Sequence, residues 1–237
     1  EKEKGISRDA LLEMLKAALM SACKKTYADF EQSQIEIDID PLAGTFHILK
    51  DGKVINDPDF GRIAAQTARQ VIIQKIREAE REAIFKEYTD RMGDIVSGAV
   101  HRIERRGLII DLGKTEAILP HKLQIPKERY RQGDNVRAVI VKVEMAPKGP
   151  EVIISRTDPE FVKRLFELEV PEIHDGIVEI KGVVRDPGAR TKIAVYSSDD
   201  KVDCVGSGVG MRGQRVKNIV SELSGEKIDI VRWSSDT

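Results

Sequence analysis

From residue 94 to residue 155 the apolar side chains recur at every second position, in runs at 95–103, 108–112, 117–119, 135–145 and 151–155. Gly, Pro and Asp separate the runs, as turn residues do. Five short strands so closely spaced predict a small closed barrel of the OB type, and closure removes the exposed edges of an open sheet. This switch of period fixes the organisation of the rest. The chain needs a unit before the barrel and another after it.

Before the barrel, residues 7–29 read as a helix. Ser7 is placed to cap it, and Leu11, Leu12, Leu15, Ala18, Leu19 and Ala22 recur at i, i+3, i+4. Residues 34–40 alternate polar and apolar, a strand with one buried face. Further strands at 45–49 and 53–55 meet across Asp51-Gly52, a hairpin signal. Asp57-Pro58 opens a second helix, with Asp57 as cap and Pro58 at the first helical position, where its missing N–H costs nothing. Phe60, Ile63, Ala64, Ala68, Val71, Ile72, Ile76, Ala79 and Ala83 make one stripe. Glu82–Lys86 and Glu87–Arg91 predict ion pairs along the wet face. The pattern runs to about Arg91 and stops at Gly93, a length that suits a bridge between two domains.

After the barrel, Asp158-Pro159 marks a boundary. A helix is expected at 160–168, strands at 176–185 and 192–196, and a helical or extended approach at 200–205 to the glycine run 206–213. A helix at 214–223 follows, with Val216, Ile219, Val220 and Leu223 on one face and Gly225 as a left-handed stop. Residues 227–232 form a last strand. The expected domains are 1–92, 93–157 and 158–237.

Composition agrees with several small units: 33% of residues are charged and only 5% aromatic. The net charge of −1 hides a local imbalance. Lys/Arg against Asp/Glu is 15 to 17 in residues 1–92 (−2), 12 to 8 in 93–157 (+4), and 12 to 15 in 158–237 (−3). A basic middle points to a polyanion there. Cys23 and Cys204 have no zinc-ligand spacing, and two free thiols fit a reducing cytosol. No apolar run approaches the roughly 20 residues of a membrane span. Glu1-Lys2-Glu3-Lys4 is no signal peptide, and the missing initiator Met leads to the expectation of a piece of a longer chain.

The glycine run carries two readings. Gly208-Val209-Gly210-Met211-Arg212-Gly213 is a literal GxGxxG with Asp236 further on, which suits a nucleotide-cofactor enzyme. Its context does not, because no further strand–helix pairs follow to complete a doubly wound sheet. The second reading takes Gly210-Met211-Arg212-Gly213 as a GxxG at a helix N-terminus. There exposed N–H groups and the absent side chains admit a sugar–phosphate backbone. Arg212, Arg215 and Lys217 add charge, with Arg190 and Lys192 as further contacts. This is the clamp of a KH domain, and the α-β-β-α-α-β order matches the bacterial type II form. On the barrel, Arg102, Arg106 and Arg137 are the leading RNA contacts, with Arg105, His121, Arg129 and Arg131 as others. His47, His101, His121 and His174 are scattered and form no catalytic grouping.

These segments resemble the NusA family of bacterial transcription elongation, termination and antitermination factors. Residues 60–82 are similar to its N-terminal domain, 98–155 to its S1-type barrel, and 185–195 with 209–213 to its first KH domain. The resemblance implies a multidomain α+β protein: an N-terminal α/β domain with a long helix, a five-stranded antiparallel OB-type (S1-like) barrel, and a type II KH domain. It implies a cytoplasmic, monomeric, non-enzymatic factor with no cofactor and no metal. Its partners would be RNA polymerase, at the β-subunit flap near the RNA exit channel, nascent single-stranded RNA, and antitermination proteins. Where the family's barrel usually places aromatic residues, this chain has Arg106 and Ile109, and Pro120 stands at a usual His position beside His121. Cys204 and Gly208 replace the family's usual Pro and Cys ahead of the loop, and a second KH domain is expected beyond Trp233. The alternative is a generic RNA-binding protein of ribosome assembly or RNA turnover.

Overall fold

A computed structural model describes residues 8–26, 34–40, 45–55, 58–199 and 201–234. The expected caps Ser7 and Asp57 lie outside the described residues. The chain forms two compact units, one ending at Ala83 and one beginning at Ile84.

In the first unit, α1 (Arg8–Thr26) packs on an antiparallel sheet of β1 (Ile35–Asp40), β2 (Thr45–Lys50) and β3 (Lys53–Ile55). The alternation in β1 does what it predicts: Ile35 and Ile37 are buried, while Glu36 and Asp38 face water. Leu19, Ala22 and Cys23 of α1 meet Ile35, Ile37 and Ile48 in a small core. Asp51 and Gly52 both have positive φ, 50° and 76°, as a tight hairpin of this twist requires.

Helix α2 (Pro58–Asp90) is continuous over 33 residues. Its expected stripe is only partly covered. Val71, Ile72, Ile76 and Ala79 are half-buried, Ile63 and Ala83 are exposed, and the side chains of Phe60, Ala64 and Ala68 lie outside the described residues. The predicted ion pairs along its wet face do not form among the described residues. Glu87 instead takes the Lys114 ammonium at 2.9 Å, and the Arg91 guanidinium lies 5.4 Å from the Tyr88 ring centre. The last turns belong to the barrel's unit, so Glu87 finds its partner on the barrel rather than along the helix.

The second unit opens with the barrel: β4 (Ile95–Glu104), β5 (Gly107–Asp111), β6 (Glu116–Pro120), β7 (Asn135–Ala146) and β8 (Gly149–Ser155), closed in the order β4-β5-β6-β8-β7. The expected all-antiparallel pairing fails at one ladder, β6–β8, which is parallel. Five strands in a ring cannot alternate direction throughout, so one neighbouring pair must run the same way. Register shifts at Val100/Arg102 and Ile140/Lys142 bend β4 and β7. The core holds Val96, Val100, Leu108, Ile110, Leu119, Ile140 and Ile154, and it includes Tyr88 from α2.

Asp158 caps α3 (Pro159–Glu169), accepting a hydrogen bond from the Glu160 N–H at 2.8 Å. A short α4 (Pro171–His174) follows, so β9 begins at Glu179 and not at residue 176; Pro171 at the first helical position starts a turn that the apolar pattern does not reveal. Then come β9 (Glu179–Asp186), β10 (Arg190–Tyr196), α5 (Cys204–Val209), a 3-10 turn (Met211–Gly213), α6 (Gln214–Glu222) and β11 (Lys227–Arg232). The sheet order is β11-β10-β9, with β10 parallel to β11 and antiparallel to β9. Phe161, Phe166, Ile193, Val195, Ile219 and Leu223 share one core with Ile125 and Val139 of the barrel. Barrel and KH domain are therefore fused through a common apolar interior.

Candidate nucleic-acid interface

The glycine loop joins α5 to α6, and its backbone explains its sequence. Gly210 has φ 73° and ψ 173°. A Cβ there would lie 2.6 Å from Cγ and 2.7 Å from Cδ of Arg215, so space and conformation both require glycine. Arg212 sits in the left-handed region at φ 54°, ψ 24°. Gly213 does so at φ 73°, ψ 17°, with open space where its side chain would be. Among the described residues, no side chain caps the N-terminus of α6. The Gln214 N–H bonds back to the Met211 carbonyl, and the positive end of the helix lies behind the exposed tip of the loop, a geometry that suits an anion. Met211 is 85% exposed at the tip.

The predicted cations around the loop part company. Lys217 on α6 and Arg212 are exposed. Arg215 turns inward, donating from Nη1 to Glu172 Oε2 at 2.9 Å and to the Ser207 carbonyl at 2.7 Å, and its stem covers Gly210. Thr191 and Ile193 of β10 are buried toward the helices, so Arg190 and Lys192 occupy the sheet face turned away from the layer that carries the loop. Arg190 is also held by Asp229, Nε to Oδ2 at 2.6 Å, which pushes its own pKa up and holds that of Asp229 down.

Several of the barrel's arginines are paired, while Arg105 and Arg131 are exposed without an ion-pair partner among the described residues. Arg102 forks onto Glu116 at 2.6 and 2.8 Å and reaches Glu104 at 2.7 Å. The hydrogen bonds from Arg102 hold both carboxyls below their usual range. Arg106 reaches Glu151 at 3.3 Å. Arg137 stands apart, at the junction with the KH domain, 3.7 Å from Glu222. Arg129 donates to the carbonyls of Pro126 and Glu128, both at 3.0 Å. The surplus of basic residues in the barrel is thus only partly taken up: Arg105, Lys122, Arg131 and Lys148 are exposed and have no ion-pair partner among the described residues.

Sequence reasoning missed the residues that hold barrel and KH domain together. Arg156, 3% exposed, donates from Nε to Glu128 at 2.7 Å and from Nη1 to the Arg137 carbonyl at 2.6 Å. It also reaches the Glu222 carboxylate at 2.9 Å and the Glu222 carbonyl at 2.6 Å, and stacks 5.1 Å from the Phe161 ring centre. Glu128 accepts further bonds from Tyr130 and, at 2.9 Å, from Ser224. Within the KH domain, Arg185 and Glu226 pair at 2.9 Å, fully shielded from solvent, beneath the turn that the barrel reaches. Glu226 also accepts from Thr191 and from the Gly188 N–H at 2.7 Å, and the Gly188 carbonyl accepts from Lys127 of the barrel at 2.7 Å. An Arg at a strand end beside the Asp158 boundary was the one visible signal.

The nucleotide-cofactor reading loses its geometry here. A helix, not a strand, leads into the glycines, and Gly208 is buried, with Ile230 Cδ1 only 2.9 Å from where its Cβ would stand. Asp236 lies outside the described residues.

Three family models match the chain. The NusA N-terminal domain matches residues 1–59 and 58–82, the S1 RNA binding domain 89–155, and the NusA-like first KH domain 156–233. Among curated relatives, the transcription termination/antitermination protein NusA of Halalkalibacterium halodurans is 46% identical over 100% of this chain and 70% of its own length. The protein of that name from Bacillus subtilis is 44% identical, covering 100% of this chain and 72% of its own. That of Mycobacterium tuberculosis is 41% identical, covering 100% and 73%.

Proposed function

The chain belongs to the NusA family of transcription termination/antitermination proteins, and we propose on that footing that it binds RNA polymerase and nascent single-stranded RNA together. The first unit docks on the polymerase near the RNA exit channel, at the β-subunit flap. The barrel and the KH loop then hold the emerging strand, so that pausing, termination and antitermination respond to the RNA that has just been made. The observation that carries the RNA part is the loop at 210–213, whose exposed tip, open Gly213 and α6 N-terminus without a side-chain cap suit a phosphate. Arg212 and Lys217 supply its positive charge, while Arg215 shapes it from beneath.

The protein works without chemistry of its own, as a monomer in the bacterial cytoplasm, where antitermination proteins meet it on the polymerase. The test is crosslinking of the full chain to core polymerase carrying a nascent transcript. Crosslinks from the first unit to the polymerase and from residues 210–217 to RNA are expected. RNA crosslinks without any to polymerase would favour a generic RNA-binding protein instead.

A further inference from the structure

Arg102 stands on β4 with all three guanidinium nitrogens bonded to carboxylates. Nη1 and Nη2 fork onto the two oxygens of Glu116, and Nε donates to Glu104. His101 Nδ1 lies 2.8 Å from the same Glu116 carboxylate, and Arg106 lies 3.7 Å from Glu104 and 3.3 Å from Glu151. This lattice lines a groove whose floor is apolar. Ile109, the register partner of Arg102, and Ile118, the partner of Ile109, point out of the barrel, yet are only 1% and 7% exposed. With Arg102, Arg106 and Lys148 against Glu104, Glu116 and Glu151, the groove's lining carries no surplus positive charge.

We propose that Glu116 and Glu104 occupy the places of an RNA phosphate, so that the barrel's arginines are screened by the chain's own carboxylates until a strand displaces them. The inference rests on the RNA-binding reading above. Its physical basis is that arginine makes the same two-pronged fork to a carboxylate as to a phosphate. The pairs are solvent-exposed, and such pairs are weakly held, so a strand can exchange with them. A phosphate that replaces a carboxylate releases no counterion, which removes the usual sequence-independent drive for a polyanion. Opening the lattice uncovers Ile109 and Ile118, against which a base can lie. The barrel therefore discriminates against bare polyanion and favours unpaired RNA that supplies bases as well as phosphates.

The test is a double-mutant cycle in the full chain with an unstructured oligouridylate. Glu116→Gln should bind about five- to tenfold tighter at low salt, with the log–log salt slope steeper by about 0.7 for the one arginine freed. In an Arg102→Gln background the same substitution should give no gain. Glu104→Gln, which frees the Arg102 Nε and the more distant Arg106, should show a smaller gain, part of which persists without Arg102. An equal gain with and without Arg102 would reduce the effect to net charge and overturn the proposal, as would no gain at all while wild type binds. Absence of RNA binding by wild type and every variant would overturn the RNA-binding reading itself, and this inference with it.

Discussion

Arg156, at the end of the last barrel strand, holds Glu222, at the end of α6, by both its side chain and its carbonyl, at 2.9 and 2.6 Å. The other end of α6 carries the glycine loop, so this pairing sets where the loop stands relative to the barrel. Removing one member of a buried charge cluster leaves the others unpaired, so Arg156→Met should cost about 3–5 kcal/mol. Arg156→Lys should recover little, because one ammonium cannot reproduce a planar fork that serves two carboxylates and two carbonyls. Denaturant midpoints of the three proteins check this. In the surviving folded fraction, affinity for RNA long enough to reach both barrel and loop should fall more than affinity for a short oligomer.

Tyr88 belongs to the barrel although it lies on α2: it is 2% exposed in the barrel core, and the compact unit begins at Ile84. The expected boundary at residue 92 falls inside this packing. Deletion of residues 1–83 should leave RNA binding near wild type and abolish polymerase association. Deletion of 1–92 should also lower the melting temperature, and Tyr88→Ala alone should cost about 3–5 kcal/mol, as large aromatic truncations do. Thermal melts beside polymerase pull-downs separate the two effects. Polymerase binding retained by the shorter deletion would remove the docking role from the first unit.

Glu226 gives the KH domain an acid limit. Burial pushes its carboxyl up, but hydrogen bonds from Arg185, Thr191 and the Gly188 N–H outweigh burial and hold it below the ordinary value of 4.5. A carboxyl whose folded pKa is depressed stabilises the fold fully above its unfolded pKa, and that stability drains away as pH falls through the folded one. Stability should therefore fall with acid from about pH 4.5 downward, and Glu226→Gln should flatten that part of the profile. Because Arg185 would then be buried without its partner, the variant should also be weaker near neutrality, by about 3–5 kcal/mol. Urea unfolding from acid to neutral pH reads both.

Periodicity made most of the secondary structure legible, because alternation and helical stripes are local. The strand in β1 and the stop at Gly93 stand where the residues place them. What depends on pairing between distant residues was not legible. Nothing in the sequence near Arg102 says that Glu116, fourteen positions on, will neutralise it. Nothing around Glu87 says that Lys114 outcompetes Arg91. The glycine loop was readable because its demand is conformational and falls on consecutive residues. Which sheet face Arg190 and Lys192 occupy was not legible, because β-strand parity becomes a face only once the helices choose a side.

The loop itself can be tested without disturbing the fold. Met211 is exposed, and Arg212 occupies a left-handed conformation that Asp tolerates better than most residues. Met211→Asp with Arg212→Asp keeps both glycines and places two carboxylates just ahead of α6, where they suit the helix dipole. The melting temperature of the full chain should stay near wild type. An RNA phosphate in the same place meets repulsion and is also deprived of the Arg212 charge, so binding should drop steeply and across many sequences. The remaining affinity should depend less on salt, by a slope change of about 0.7 for each phosphate no longer neutralised. Melting curves and salt-dependent binding to single-stranded RNA, measured on the same preparation, decide the matter. A double variant that melts and binds like wild type would reduce the loop to a turn between two helices.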